Sequence, residues 1–162
     1  MKRNILILGA GGHGKVVAYT ILASNESVAG FLDDTIPVGQ EVIHGVRCLE
    51  KMQDQLAGNK SITHFVAALG NNQLRKNLFT IHSATRPAAA IIHPSATIFS
   101  DVMIGPGSVI LAHACLMNGV RVGSNCIVNS GAILDHETVL GDHSHVAQGV
   151  IVGSNCILDA ES

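Results

Sequence analysis

The sequence predicts two folds in series: an α/β unit with a parallel sheet over residues 1–90, then a parallel β-helix over residues 91–162. Three observations carry this reading. The apolar run Ile5-Leu6-Ile7-Leu8 opens onto the glycine cluster Gly9-Ala10-Gly11-Gly12-His13-Gly14, as a strand buried on both faces does when it turns into a helix. From Ile92 onward an aliphatic residue returns at every sixth position. The composition agrees with both: 47% hydrophobic, 17 glycines, no tryptophan and only 3% aromatic, so the core is filled by small and aliphatic side chains in regular packing.

In the first unit, strands and helices alternate. Residues 5–8 form the first strand, and Val16 to Ala23 carries apolar residues at helical spacing, with Asn25 as a stop. A second strand, residues 28–32, closes on Asp33-Asp34. A third, residues 63–69, ends at Gly70-Asn71-Asn72. Residues 73–82 then place Leu74, Leu78 and Ile81 on one helical face. This order predicts a small Rossmann-like domain.

In the second unit the six-residue series runs Ile92, Ile98, Ile104, Ile110, Leu116, Val122, Val128, Leu134, Leu140, Val146, Val152, Leu158. Ile, Leu and Val make up 22 of the 71 residues from 92 onward. Agreement at all twelve positions by chance is roughly a few in a million, so the period is real. Four residues after each aliphatic stands a small one, from Ala96 to Ser162. Three six-residue rungs close a triangular coil, with the aliphatic stacked inward and the small residue beside the corner.

The same arithmetic excludes several classes. A net charge of -2 leaves no basic footprint for nucleic acid or for an anionic membrane surface. No apolar stretch reaches the length of a membrane span, so no membrane insertion is expected. Cys48, Cys115, Cys126 and Cys156 form no CxxC pair, which argues against a zinc finger or a disulfide framework. The apolar run before Gly9 is too short for a signal peptide, with His13 and Lys15 soon after it, and a cytoplasmic protein is expected.

Two segments carry candidate chemistry. Residues 9–14 match GxGxxG between strand and helix, with Asp33 nineteen residues beyond Gly14. That context suits a nucleotide whose phosphates meet the free N–H groups of a helix start, the alternative being a tight glycine turn without a ligand. A nicotinamide cofactor fits poorly, because the unit is half the size of a full dinucleotide fold and leads into a β-helix. The second segment is Leu134-Asp135-His136-Glu137, followed by Gly141-Asp142-His143-Ser144-His145. The repeat turns Leu134 and Thr138 inward, leaving His136 and Glu137 outside or at a corner. A histidine beside a carboxylate suits a general base.

GAGGHGK at 9–15, FLDD at 31–34, ALGNNQLRK at 68–76 and NSGAILDHETVLGDHSHVAQG at 129–149, in this order, resemble the bacterial sugar O- and N-acyltransferases of the sialic-acid O-acetyltransferase type. This family includes enzymes that acetylate UDP-4-amino-sugars. The resemblance implies that the β-helix is left-handed, that acetyl-CoA is the co-substrate, and that the chain forms a homotrimer with sites between neighbouring coils. It implies that His136 removes the acceptor's proton, with Glu137 polarising it. Gly11, Gly12, His13, Asp33 and Asp34 would hold a nucleotide-sugar acceptor, His145 would contact acetyl-CoA, and Asn129 would support the base from the rung before it. Direct transfer is expected, since no Cys or Ser is paired with His136. Cys126 and Cys156 fall in inward slots and read as packing.

Two alternatives stand beside this reading. One is a nucleotide-sugar-binding remnant without catalysis. The other is a metal-dependent hydratase with zinc held by His143, His145 and His113, although His93, His113, His136 and His145 do not fall at eighteen-residue intervals. One irregularity bears on the donor site. Gly105, Gly123 and Gly141 recur once per coil, but the next mark is Gly153 rather than residue 159, and Val122–Ile127 reappears as Val152–Ile157 after 30 residues instead of 36. This predicts a missing rung between His145 and Gly153, with later faces displaced by a third of a turn. Twelve rungs give about four coils, fewer than the resemblance implies, so the groove for the pantetheine arm is expected to be incomplete.

Overall fold

The computed structural model describes residues 2–56 and 58–162. The first unit runs β1 (Asn4–Leu8), α1 (Gly12–Ala23), β2 (Ser27–Leu32), β3 (Glu41–Ile43), β4 (Val46–Glu50), β5 (His64–Ala67) and α2 (Asn72–Ser83). Its five strands lie in the order β3-β4-β2-β1-β5, with β1 parallel to β2 and β5, and β4 parallel to β2. The continuous apolar run of β1 has its cause in this central place. Ile5 and Ile7 pack toward Val17, Ala18 and Ile21 of α1, while Leu6 and Leu8 pack on the opposite face with Phe65 and Leu78.

Two differences from the predicted elements have simple origins. Helix α1 starts at Gly12 rather than Val16, because the glycine cluster supplies its N-cap and first turn. The strands β3 and β4 fall between the predicted elements and form an antiparallel hairpin around Gly45, whose φ of +76 permits the tight turn. Their half-exposed side chains show no clean alternation, and only the pairing of β4 with β2 orders them.

The second unit is a parallel β-helix of two-residue strands: β6 (Ile91–Ile92), β7 (Thr97–Ile98), β8 (Met103–Ile104), β9 (Val109–Ile110), β10 (Cys115–Leu116), β11 (Arg121–Val122), β12 (Ile127–Val128), β13 (Ile133–Leu134), β14 (Val139–Leu140), β15 (His145–Val146), β16 (Ile151–Val152) and β17 (Ile157–Leu158). They stack as three sheets, β15-β12-β9-β6, β16-β13-β10-β7 and β17-β14-β11-β8. Ile110, Leu116, Val122, Val128, Leu134, Leu140 and Val146 fill the interior, as the six-residue period requires. Each fully buried aliphatic contributes about 1.5–3 kcal/mol. The small slots do more than fit. Ser108 Oγ donates to Gly123 O at 2.7 Å and accepts from Cys126 N at 3.0 Å, and Thr138 and Ser144 donate to Gly153 O and Asp159 O. Cys126 is buried as expected. Cys156 is exposed instead.

The predicted gap is corrected by the register. His145 pairs beside Ile127, Ile151 beside Ile133 and Ile157 beside Val139, all at eighteen residues, so no rung is missing and no face is displaced. The glycine mark misled because its physical demand differs between corners. A Cβ on Gly123 would lie 2.5 Å from Asp142 Oδ1, and one on Gly141 would lie 2.6 Å from Ala160 N, whereas one on Gly153 would meet nothing within 4 Å. The regular backbone mark lies elsewhere: every sixth residue from Gly107 to Glu161 has positive φ, three places after the inward aliphatic.

The α/β unit covers one face of the coil. The outward side chains of β6, β9 and β12 are Ile91, Val109 and Ile127, all buried, and Ile91 and Val109 share the core around α1. The fourth residue in that column is His145.

Candidate active site

Where the two units meet, a cleft opens in two adjoining chambers. The first, about 300 Å³, is lined by Gly9, Gly11, Gly12, His13, Asp33, Ala68, Leu69, Gly70 and Asn71. The second, about 440 Å³, is lined by Gly12, His13, Val16, Gly70, Asn129, Ser130, His145 and Gln148. The sequence-predicted residues Gly11, Gly12, His13, Asp33, Asn129 and His145 are therefore brought together.

The glycines divide by role. Gly9 has φ +103, and a Cβ on Gly14 would lie 1.9 Å from Gly9 O, so both serve the close crossing of β1 and α1. A Cβ on Gly11 or Gly12 would meet nothing within 4 Å, so their bare backbone leaves the cleft open. Gly11 caps α1 without a side-chain hydrogen bond, which leaves the first amides of the helix unbonded. The start of α2 lies across the same chamber, with Asn71 as N-cap accepting from Leu74 N at 2.9 Å. Two helix N-termini facing one space favour an anion there.

Asp33 does not present its carboxylate to the cleft. Its oxygens accept from Ala10 N (2.8 Å), Thr35 N (2.8 Å), Thr35 Oγ1 (2.6 Å) and Ile36 N (3.2 Å). Burial pushes its pKa up, but the hydrogen bonds from Thr35, Ala10 and Ile36 outweigh this and hold it below the ordinary value. Asp33 shapes the glycine loop through Ala10. Asp34 is exposed, accepts from Met52 N at 3.0 Å, and lines neither chamber.

His13 and His145 face each other across the cleft. Burial, then the charges of His145 and Arg75, push His13 down to about 4, so it is neutral at physiological pH, and its buried Nε2 has no hydrogen-bond partner. His145 is also lowered, by burial and then by Arg75, against a backbone hydrogen bond at Gly70. Asn129 Nδ2 lies 3.1 Å from His145 Nε2. An amide nitrogen only donates, so Nε2 accepts and the imidazole proton sits on Nδ1. Asn129 Oδ1 in turn accepts from Ser130 N at 2.8 Å, which fixes the amide's orientation.

His136 and Glu137 lie elsewhere. Both are exposed on the turn between β13 and β14, one side of the triangular coil away from Asn129, and neither lines the cleft. Glu137 takes φ +59, and its N–H donates to Asn118 O at 2.9 Å. Among the described residues no hydrogen bond joins the Glu137 carboxylate to the His136 ring. The histidines weighed as metal ligands are committed separately: His143 Nδ1 lies 2.8 Å from Asn125 Nδ2 with its ring edge-on to Phe79, while His145 pairs with Asn129.

Sequence reasoning missed Gly70, Asn71, Ser130, Gln148 and Arg75. Asn71, three residues before Leu74 at the start of an apolar-periodic segment, carries an N-cap signal that was read only as the end of a strand. No local signal marks Gln148 or Ser130, which reach the cleft through the stacking of coils.

Comparison with known proteins agrees with this architecture. Residues 4–81 match the PglD N-terminal domain family. Over 115 residues the chain is 35% identical to UDP-N-acetylbacillosamine N-acetyltransferase of Bacillus subtilis, covering 68% of this chain and 52% of that protein. It is 33% identical over 87 residues to UDP-3-O-acylglucosamine N-acyltransferase of Parasynechococcus marenigrum, covering 52% of this chain and 25% of that protein. The chain thus spans about half the length of the first relative and a quarter of the second. The acetyltransferase domain of PglB from Neisseria gonorrhoeae, solved with acetyl coenzyme A, superposes with a TM-score of 0.78 at 26% identity, covering 98% of this chain and 94% of that one. PerB from Caulobacter crescentus, solved with CoA and GDP-perosamine, gives 0.77 at 26% identity, covering 97% and 86%. Residues 4–81 thus match the PglD N-terminal domain family, and the whole chain is similar in fold to the acetyltransferase domain of PglB and to PerB.

Proposed function

We propose that this protein transfers the acetyl group of acetyl-CoA to an amino or hydroxyl group of a nucleotide-activated sugar. The observation that carries the reading is the cleft itself: two helix starts, with the amides of α1 unbonded, open beside a pair of neutral histidines at the domain joint. The helix starts suit the diphosphate of the acceptor, and Gly11 and Gly12 leave it room. His145 and Asn129 line the second chamber and suit the donor's end of the cleft.

In this reaction His136 accepts the acceptor's proton as its nitrogen or oxygen attacks the thioester carbonyl. The tetrahedral intermediate collapses, and the departing CoA thiolate takes a proton back from the imidazolium. Glu137, beside it at the same corner, stabilises that imidazolium. Because His136 lies a full side of the coil from its own cleft, a neighbouring chain supplies it. A homotrimer provides this closure. Val16, Tyr19 and Leu22 form an exposed apolar stripe on α1 running away from the cleft, which supports contact with a second chain. The reaction belongs in the cytoplasm, in keeping with four free cysteines. Among the described residues no helix is long and apolar enough to cross a membrane.

The separation of His136 from the cleft also favours one competing reading, binding of a nucleotide sugar without transfer. Calorimetric titration with UDP- and GDP-amino-sugars tests the shared part of both. Binding is expected, and Gly11→Val, which fills the cleft without touching the protein, weakens it at least about tenfold. An unchanged affinity in Gly11→Val removes the cleft from the proposal.

A further inference from the structure

Arg75, on the second turn of α2, is the largest fully buried side chain of the protein. No carboxylate forms an ion pair with it among the described residues. Its guanidinium instead donates to four backbone carbonyls: Nη1 to Leu69 O at 3.0 Å, Nε to Asn125 O at 3.1 Å, and Nη2 to His143 O at 2.5 Å and Ser144 O at 3.3 Å. Burial lowers its pKa to about 10, which leaves it a cation at neutral pH. A buried cation held only by carbonyl dipoles is an expensive way to dock a helix, since an apolar side chain of similar volume does this without desolvating a charge.

The placement of the four carbonyls explains the expense. Leu69 precedes Gly70, which lines both chambers of the cleft from the α/β side. Ser144 precedes His145, which lines the second chamber from the coil side. One guanidinium therefore ties the two walls together one residue behind their working faces. It also lies behind the two cleft histidines and disfavours a proton on each. Apart from Arg75 on α2, the groups bearing on His145 are His13 from α1, the Asn129 amide from the coil and the Gly70 backbone, with Ser162 O accepting from the His145 backbone N–H at 2.9 Å. Only a neutral His145 can accept from Asn129; an imidazolium would set donor against donor and turn the ring away.

We infer that Arg75 is a positioning residue for the cleft: it fixes the spacing of the Gly70 and His145 walls, and through the carbonyls of His143 and Ser144 it holds the His145 ring where it pairs with Asn129. The first half rests on the reading of the cleft as the acetyl-transfer site; the second concerns this chain alone.

Histidine ring NMR titrations of the ligand-free protein test the second half, with the His145 resonance assigned by His145→Gln. In Arg75→Met the midpoint of His145 is expected to rise, the direction that loss of a nearby cation gives. Arg75→Lys keeps the charge but not the fork of donors, so its midpoint stays near that of the natural protein while nucleotide-sugar affinity falls at least about tenfold. A variant that only melts earlier, with the His145 midpoint and the affinity unchanged, overturns the proposal and leaves Arg75 a domain clamp. Arg75→Lys with full affinity overturns the spacing role. If Arg75→Met does not fold, Arg75→Lys together with Arg75→Gln supplies the same comparison of charge and geometry. If the natural protein binds no nucleotide sugar, the function proposed above fails, while the His145 midpoints still decide whether Arg75 acts on that ring.

Discussion

At the scale of single residues, the glycine cluster separates into backbone that the fold needs and backbone that a ligand needs. Gly14→Ala drives a methyl to 1.9 Å from Gly9 O, a backbone atom that cannot step aside, and is expected to cost about 3 kcal/mol or more. Gly11→Val places its side chain in open space and should leave the melting temperature almost unchanged while it blocks the cleft. Urea unfolding and ligand titration on the two variants separate these roles. His13 supplies the pH dependence. Its folded pKa of about 4 lies below the unfolded value of 6.5, so its contribution is complete above pH 6.5 and is lost as the pH falls toward 4. The loss is at most about 3 kcal/mol, reduced by the solvent that reaches the ring. His13→Gln, which cannot titrate, should flatten the fall in melting temperature between pH 6.5 and 4 relative to the natural protein. Asp33 shows how far residue type alone can mislead. Its place after β2 marked it as a ligand contact, but four hydrogen bonds from the protein occupy its carboxylate.

At the scale of elements, what was legible is what repeats or is saturated. The continuous apolar run of β1 and the six-residue period of the coil each state one physical requirement several times over, and both were readable from spacing alone. Leu134 stands for that period: it is fully buried in the coil interior, and Leu134→Ala should cost about 2–5 kcal/mol in urea unfolding, with the coil weakened before the α/β unit. The hairpin of β3 and β4 was not legible, because its strands are short, half exposed and held by a long-range pairing with β2. The glycine column misled for a different reason. Glycine at Gly123 and Gly141 answers a close approach from the next coil, and Gly153 answers no such need, so the residue type persisted where its cause did not. The positive-φ column from Gly107 to Glu161 was the better phase marker, but it mixes Gly, Asn, His and Glu and is invisible as a letter pattern.

At the scale of the whole molecule, the site depends on how the two units dock. The sequence named His13, Asn129 and His145 as separate candidates; only the packing of α1 and α2 on the coil brings them to one cleft. Arg75 lies within the segment 68–76 that carries the resemblance, but nothing local gives it a role, since three of its four partners are main-chain carbonyls 50 to 69 residues away. The same docking leaves His136 outside the cleft of its own chain, so under the proposed function a second chain has to supply it. The most direct measurement follows free thiol released from acetyl-CoA in the presence of a panel of nucleotide-activated amino-sugars, using the natural protein and His136→Ala. The account predicts acceptor-dependent release that His136→Ala reduces at least about a hundredfold while nucleotide-sugar binding persists. Binding without release for any acceptor, or release unchanged in His136→Ala, would contradict it.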